Sequence, residues 1–258
     1  MNTLKELYAY REMIASLVRR DLKGRYKGSV LGFLWTFLNP LFQLGVYTLV
    51  FSTIMRSGIK DFYLFLFVAL VPWIFLSTSV TGGAACVWAQ QDMIKKIYFP
   101  RETLPLAYVT SQLVNMLLSL IVVLVVLIVS GKGISAAALA YLPLVIVIEY
   151  VFALAMAFLT SAITVYLRDL EYLLGIITMA WQFMTPIMYS IDQVPDRVLP
   201  FFLLNPMTSI ITAYRDILYY KEIPQIETLV VAGMFSCGLF MLAFMVFYVL
   251  KRRFAEVM

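Results

Sequence analysis

Charged residues fall in bunches along the chain, and the stretches between them are almost wholly apolar: 28–55, 62–91, 103–131, 133–167, 172–191 and 228–250. A helix rises 1.5 Å per residue, so about 20 apolar residues cross the roughly 30 Å hydrocarbon core of a bilayer. Each stretch reaches that length, and the pattern predicts six membrane-spanning helices. Pro40, Pro72, Pro143 and Pro186 fall inside these stretches and predict kinks, which membranes tolerate where neighbours re-satisfy the freed carbonyls. Ahead of the first stretch, Leu7, Tyr10, Ile14, Leu17 or Val18, and Leu22 recur at three- and four-residue steps, with Arg11, Glu12, Arg19, Arg20 and Lys23 falling largely elsewhere. That spacing predicts an amphipathic helix lying on the inner leaflet.

Residues 192–227 break the pattern. They contain Pro195, Pro200, Pro206 and Pro224, too many for one helix, yet FFLLNPMTSIITAY is too apolar for a solvated loop. Two short helices dipping into the outer leaflet are expected, and irregular backbone at that depth survives only when buried in protein or lining a polar path. An apolar plug lying flat on the outer surface is the alternative. The expected fold is an all-α membrane protein with one transmembrane domain. Residues 1–30 form a cytoplasmic interfacial helix and basic connector, 31–250 the six-span region with re-entrant outer helices between spans five and six, and 251–258 a cytoplasmic tail. No inverted repeat is visible.

Composition agrees with a bilayer: 62% of the 258 residues are apolar and 14% charged, against about 45–50% and about 25% in soluble domains. Lys and Arg concentrate in 1–27 (seven), 92–102 (three), at Arg168 and in 251–256 (three), while the alternate connections hold two in 56–61, Lys132 and three in 192–227. Cytoplasmic loops carry the excess of positive charge, so both termini are expected inside. The first thirty residues carry ten charges, so no removable leader is expected. Histidine is absent, which removes imidazole ligands and His general bases from consideration. Cys86 and Cys237 are isolated in apolar stretches and read as packing residues; no metal site is expected. No GxxxxGK[ST] cradle occurs, since Gly131, Lys132 and Gly133 have the wrong spacing, so any ATP is handled by another chain.

Four groups of residues carry candidate chemistry. The basic run Arg19, Arg20, Lys23, Arg25 and Lys27 suits either anionic headgroups or the phosphate of a lipid-linked substrate. Phe33, Trp35, Phe37, Phe42 and Tyr47 in the first stretch, with Trp181, Phe183 and Tyr189 in the fifth, are either interfacial anchors and lipid-facing rings or the lining of a path on which sugar rings slide. Asp92, Lys95, Lys96, Arg101 and Glu102, with Tyr98 between them and Pro100 as a helix stop, mix both charge signs with apolar side chains in the manner of a protein-docking element, and an ATPase subunit fits there. Glu149 alone is ionisable within a span. It is either a neutral or hydrogen-bonded structural group or a functional acid.

Several segments together resemble the membrane subunit of ATP-binding-cassette exporters of the polysaccharide branch, which handle O-antigen, capsule or wall teichoic acid. They are DLKGRYKGSVLGFLWTFLNPL, KKIYFPRETLPL, VYLRDLEYLL, TPIMYS, LLNPMTSIITAYRDILYY and RRFAEVM, in the family's order from about residue 19 onward. The resemblance implies a non-enzymatic subunit with no cofactor of its own, assembled as a homodimer whose interface is the channel. Two copies of a separate ATPase would carry ATP and Mg. It places a coupling helix within Asp92–Glu102 and a brace at Arg168 and Asp169, an ordinary salt-bridged helix end being the alternative for that pair. It places outer gate helices within 192–222, drawing on Pro195, Pro200, Asn205, Pro206, Tyr214 and Arg215. A bacterial inner membrane and a lipid-linked glycan substrate follow from the same likeness, with no role for nucleic acid. The rival readings are a small-molecule exporter permease, a proton-coupled transporter relying on Glu149, and a lipid-phosphate-transferring membrane enzyme, whose usual metal motif is missing.

Overall fold

The computed structural model describes residues 2–24, 31–54 and 58–257. Arg25, Lys27 and the side chain of Phe33 lie outside the described residues. All regular structure among the described residues is helical: α1 (Asn2–Ala9), α2 (Arg11–Gly24), α3 (Trp35–Thr48), α4 (Phe62–Ala85), α5 (Gln91–Lys96), α6 (Thr103–Val129), α7 (Ala136–Leu139), α8 (Leu142–Thr164), α9 (Leu170–Phe183), α10 (Leu199–Leu204), α11 (Pro206–Arg215), α12 (Ile226–Leu250) and α13 (Phe254–Val257).

Four helices are long and apolar enough to cross a membrane: Phe62–Ala85, Thr103–Val129, Ala136–Thr164 and Ile226–Arg253. These are the second, third, fourth and sixth expected spans. The first expected span is represented by the 14-residue α3, prolonged by a π-helical turn over Leu49–Ile54. The fifth is the 14-residue α9, about 21 Å at 1.5 Å per residue, followed by turns through Met188. Pro186 lies beyond the end of α9 instead of kinking it. Pro143 occupies the first turn of α8, where its missing N–H has no helical acceptor to lose. Of these four prolines, Pro40 and Pro72 stand in helix interiors, and the expected kinks at 143 and 186 are replaced by a helix start and a helix stop.

The centre of the structure is α4, which packs against α8, α6, α3, α9 and α11 and encloses Leu66, Val68, Ala69, Leu70 and Leu76 completely. Small residues allow the closest approaches. A Cβ at Gly83 would stand 2.9 Å from the Ala157 Cβ on α8, and one at Gly82 would strike the Tyr108 hydroxyl on α6, the packing device of helices in lipid. α8 is sandwiched between α4 and α12. α12 turns Val230, Val231, Met234, Met241, Leu242 and Met245 outward, the composition of a lipid-facing surface. Ser130 caps the end of α6, and Gly131 follows with φ +75°, the left-handed position that glycine fills most readily at a helix end. The expected amphipathic helix is two pieces divided at Tyr10; the second, α2, packs along α6, where Ser111 Oγ donates to Asp21.

Candidate functional site

The segment after α9 is built around Asn205 and Arg215. Asn205 precedes Pro206 at the start of α11, and its Oδ1 accepts from Met207 N at 3.1 Å, the bond an N-cap supplies to an otherwise orphaned donor. The same oxygen accepts from Trp181 Nε1 at 3.1 Å, while Nδ2 donates to Thr185 Oγ1 at 2.9 Å and to Met184 O at 3.4 Å. The cap of one helix thus fastens the end of another. Arg215, 3% exposed, donates Nη1 to Tyr189 O at 3.1 Å and Nη2 to Ile187 O at 2.5 Å, and its guanidinium lies 3.6 Å from the centre of the Phe65 ring. The carbonyls of Ile187 and Tyr189 beyond the end of α9 are answered by a side chain 26 to 28 residues later, which gives these backbone groups the partner that buried irregular chain needs.

Glu149, fully buried on α8, accepts from the Tyr214 hydroxyl at 2.7 Å. Consecutive residues at the end of α11 thus engage different neighbours, Tyr214 the intramembrane acid on α8 and Arg215 the turns after α9 together with Phe65 on α4. In the connection between α6 and α7, Lys132 pairs with Asp61 at 3.3 Å and lies 3.8 Å from the Tyr219 ring centre. Lys221 donates to Lys132 O, and Tyr219 OH to Lys60 O. Asp216, beyond the spanning helices, has its carboxyl pushed up to about 6 by burial, with Glu222 adding to the rise and Arg215 opposing it. This end of the protein thus sheds one negative charge as pH falls through that value. Pro195 and Pro200 are exposed on the loop and the start of α10, away from these contacts.

The aromatic residues divide between packing and exposure. Trp181 is half-buried and meets Trp73 and Phe152 edge-on at 5.9 and 6.0 Å. Tyr189 donates its hydroxyl to Phe183 O at 2.6 Å and packs on Phe202. Phe37 is half-buried, and Tyr47 OH receives a bond from Gln182 Nε2 at 3.4 Å, linking α3 to α9. Trp35, Phe42 and Phe183 are exposed. Asn39, Phe42, Gln43 and Val46 all project from α3 into the open, and a spacing of three and four residues puts them on one helix face. Two carboxamides on that face are a poor match for acyl chains, which offer them no hydrogen bonds.

Elsewhere, α5 presents Asp92, Lys95 and Lys96 at the surface, followed by exposed Ile97 and Tyr98. Pro100 and Glu102 are buried, and Arg101 is partly covered. The Glu102 carboxylate pairs with Lys251, Arg101 donates to Lys251 O, and the Arg101 guanidinium lies 5.9 Å from the centre of the Phe254 ring. These residues hold the end of α12 instead of facing outward with α5. Arg168 lies 3.6 Å from the centre of the Trp88 ring, just ahead of α5, while Asp169 is exposed at the start of α9. Arg19, Arg20 and Lys23 are exposed along α2. Arg20 and Asp21 border a cavity of about 540 Å³ together with Gly82, Cys86, Gln90 and Tyr108.

Lys251 and the amides Gln112 and Asn115 on α6 did not stand out in the sequence. Polar residues at 111, 112, 115 and 119 share one face of an otherwise apolar helix, and that spacing was the available signal. No group of three or more Cys, Asp or Glu side chains suited to a metal ion occurs among the described residues.

The family model for ABC-2 type transporters matches residues 12–219. The chain is 39% identical over 255 residues to the O-antigen export system permease protein RfbA of Myxococcus xanthus, covering 98% of both proteins. It is 30% identical over 247 residues to a protein of the same name from Klebsiella pneumoniae, covering 96% of this chain and 95% of that one. The polysialic acid transport protein KpsM of Escherichia coli matches at 21% over 207 residues, 79% of this chain and 80% of its own. Apolar helices built to cross a bilayer and a match over most of the chain lead to one assignment: this protein is a membrane-embedded member of the ABC-2 type transporter family.

Proposed function

We propose that two copies of this chain form the transmembrane part of an ATP-driven exporter that carries a lipid-linked polysaccharide outward across the bacterial inner membrane. The observation that carries this reading is the exposed face of α3, where Asn39 and Gln43 stand beside Trp35 and Phe42. Carboxamides cost free energy against lipid but are satisfied by water or sugar hydroxyls, and aromatic faces give sugar rings contact without charge. A second copy facing α3 and α9 makes that surface the wall of a hydrated conduit. Permeases related over nearly the whole chain bear names for O-antigen export, and a more distant one for polysialic acid transport.

In this reading residues 1–258 form one domain with both termini cytoplasmic. α3 with its π-helical turn, and α9 with the turns after it, supply the first and fifth of six spans. α10 and α11 are re-entrant gate helices, hinged on Asn205 and Arg215. Arg19, Arg20 and Lys23, continued by Arg25 and Lys27, receive the lipid phosphate. Asp92, Lys95, Lys96 and Tyr98 seat the ATPase, and Arg168 stacked on Trp88 braces that seat. ATP and Mg belong to the partner ATPase, and this chain catalyses no reaction. A ligand shifts a conformational equilibrium only by its differential affinity for the two states, and ATP on the partner supplies that difference.

The test is reconstitution with the cognate ATPase in liposomes holding a lipid-linked glycan in the outer leaflet, facing the cytoplasmic side of the transporter. ATP-dependent movement of the glycan to the lumen, read as protection from an added impermeant glycosidase, is expected. ATP hydrolysis without glycan movement, or transport of a small amphipathic dye in its place, overturns the reading.

A further inference from the structure

Between α3, α4 and α6 lies a cavity of about 450 Å³, and the scheme above uses its rim on α3 but not its interior. Its volume falls within the roughly 300–1,000 Å³ of small-molecule sites. Trp35 and Asn39 form its exposed rim, while Phe75, Gln112 and Asn115 line it from α4 and α6. None of its lining residues carries a formal charge, which disfavours phosphate, ammonium and metal ions as occupants. Asn115 Oδ1 is buried without a hydrogen-bond partner among the described residues, and an acceptor left so is destabilising unless a donor reaches it. Asn115 Oδ1 is thus an acceptor in the cavity wall that asks for a donor. The rim residues Trp35 and Asn39 are also part of the exposed α3 surface, so the cavity opens onto that surface.

The geometry points to a binding site for one neutral sugar ring, whose hydroxyl donates to Asn115 Oδ1 while a ring face lies against Trp35 at the mouth. This rests on the exporter reading and deepens it: the cavity is a side pocket off the conduit that holds a single uncharged pyranose of the passing chain. Aromatic walls with a few placed amides suit such a ligand, because apolar ring faces and polar hydroxyls are satisfied together. Water alone, at about 30 Å³ per molecule, is the competing occupant and an outcome of the test.

The full complex with its ATPase, in nanodiscs, is titrated with mannose and separately with N-acetylglucosamine, following tryptophan fluorescence. A saturable change is expected for at least one sugar, lost in Trp35→Phe and shifted to at least tenfold higher concentration in Asn115→Leu. Asn39→Leu, at the exposed rim where folding is not at stake, is expected to shift it severalfold and carries the test if Asn115→Leu does not assemble. No saturable change with either sugar, as for a cavity holding only water, overturns the proposal. So does a change that Trp35→Phe, Asn115→Leu and Asn39→Leu all leave intact. Glycan export by the same wild-type preparation separates the two failures: export without saturation removes the pocket alone, whereas saturation without export removes the exporter reading and leaves a neutral-sugar site.

Discussion

At the scale of single residues, Glu149 decides between transport driven by a proton and transport driven from outside the chain. Its carboxylate accepts from Tyr214 at 2.7 Å inside the protein, a geometry that a Gln side chain reproduces because its carbonyl oxygen is also an acceptor. Glu149→Gln is therefore expected to keep export and thermal stability within experimental scatter. Glu149→Leu leaves the Tyr214 hydroxyl buried and unpaired, and is expected to cost about 1–3 kcal/mol, read as a lowered unfolding temperature in detergent. Loss of all export in Glu149→Gln with the protein still folded would restore the proton-coupled reading. The acid was legible in the sequence because it interrupts an apolar stretch. Its partner was not, since Tyr214 lies 65 residues away and no periodicity relates the two. Asn205 before Pro206 could be read as a cap from local chemistry. Arg215 as the ligand of Ile187 and Tyr189 carbonyls could not, because that role exists only once α9 has stopped short.

At the scale of elements, apolar pattern gave the position of the helices more reliably than their length. α4, α6, α8 and α12 follow uninterrupted apolar stretches and emerge as full spans. α9 ends after 14 residues, ahead of Pro186, whose ring does not continue a helix, and the carbonyls of Met184, Ile187 and Tyr189 beyond it are taken by Asn205 and Arg215. The docking element illustrates the same limit. Its bunch of charges was visible in the sequence, but tertiary contacts split it into α5, exposed, and Arg101 with Glu102, folded back onto Lys251 and Phe254. Reversing Lys95 and Lys96 together to Glu changes the charge of α5 without touching that inner latch. The expected outcome is at least a tenfold loss of glycan-stimulated ATP hydrolysis, with normal membrane insertion and unchanged detergent stability. Retained stimulation would move the ATPase seat away from α5.

At the scale of the whole molecule, the protein is an enclosed core around α4 with two unlike outer surfaces. α12 offers lipid a continuous apolar face, whereas α3 sets two carboxamides among aromatic rings. The membrane class and the broad transport role were legible because composition and a series of segments in order both point to them. The side cavity was not, because it is assembled from three helices distant in sequence. A hydrated face on α3 between two copies is the central claim, and cysteine accessibility tests it most directly. In a protein whose Cys86 and Cys237 are replaced by Ala, single cysteines are placed at Asn39, Gln43 and, as the lipid-facing reference, Met241. The assembled complex is then treated with a membrane-impermeant maleimide during ATP turnover. The account predicts rapid labelling at 39 and 43, tenfold or more above that at 241; equal, slow labelling at all three positions would contradict it.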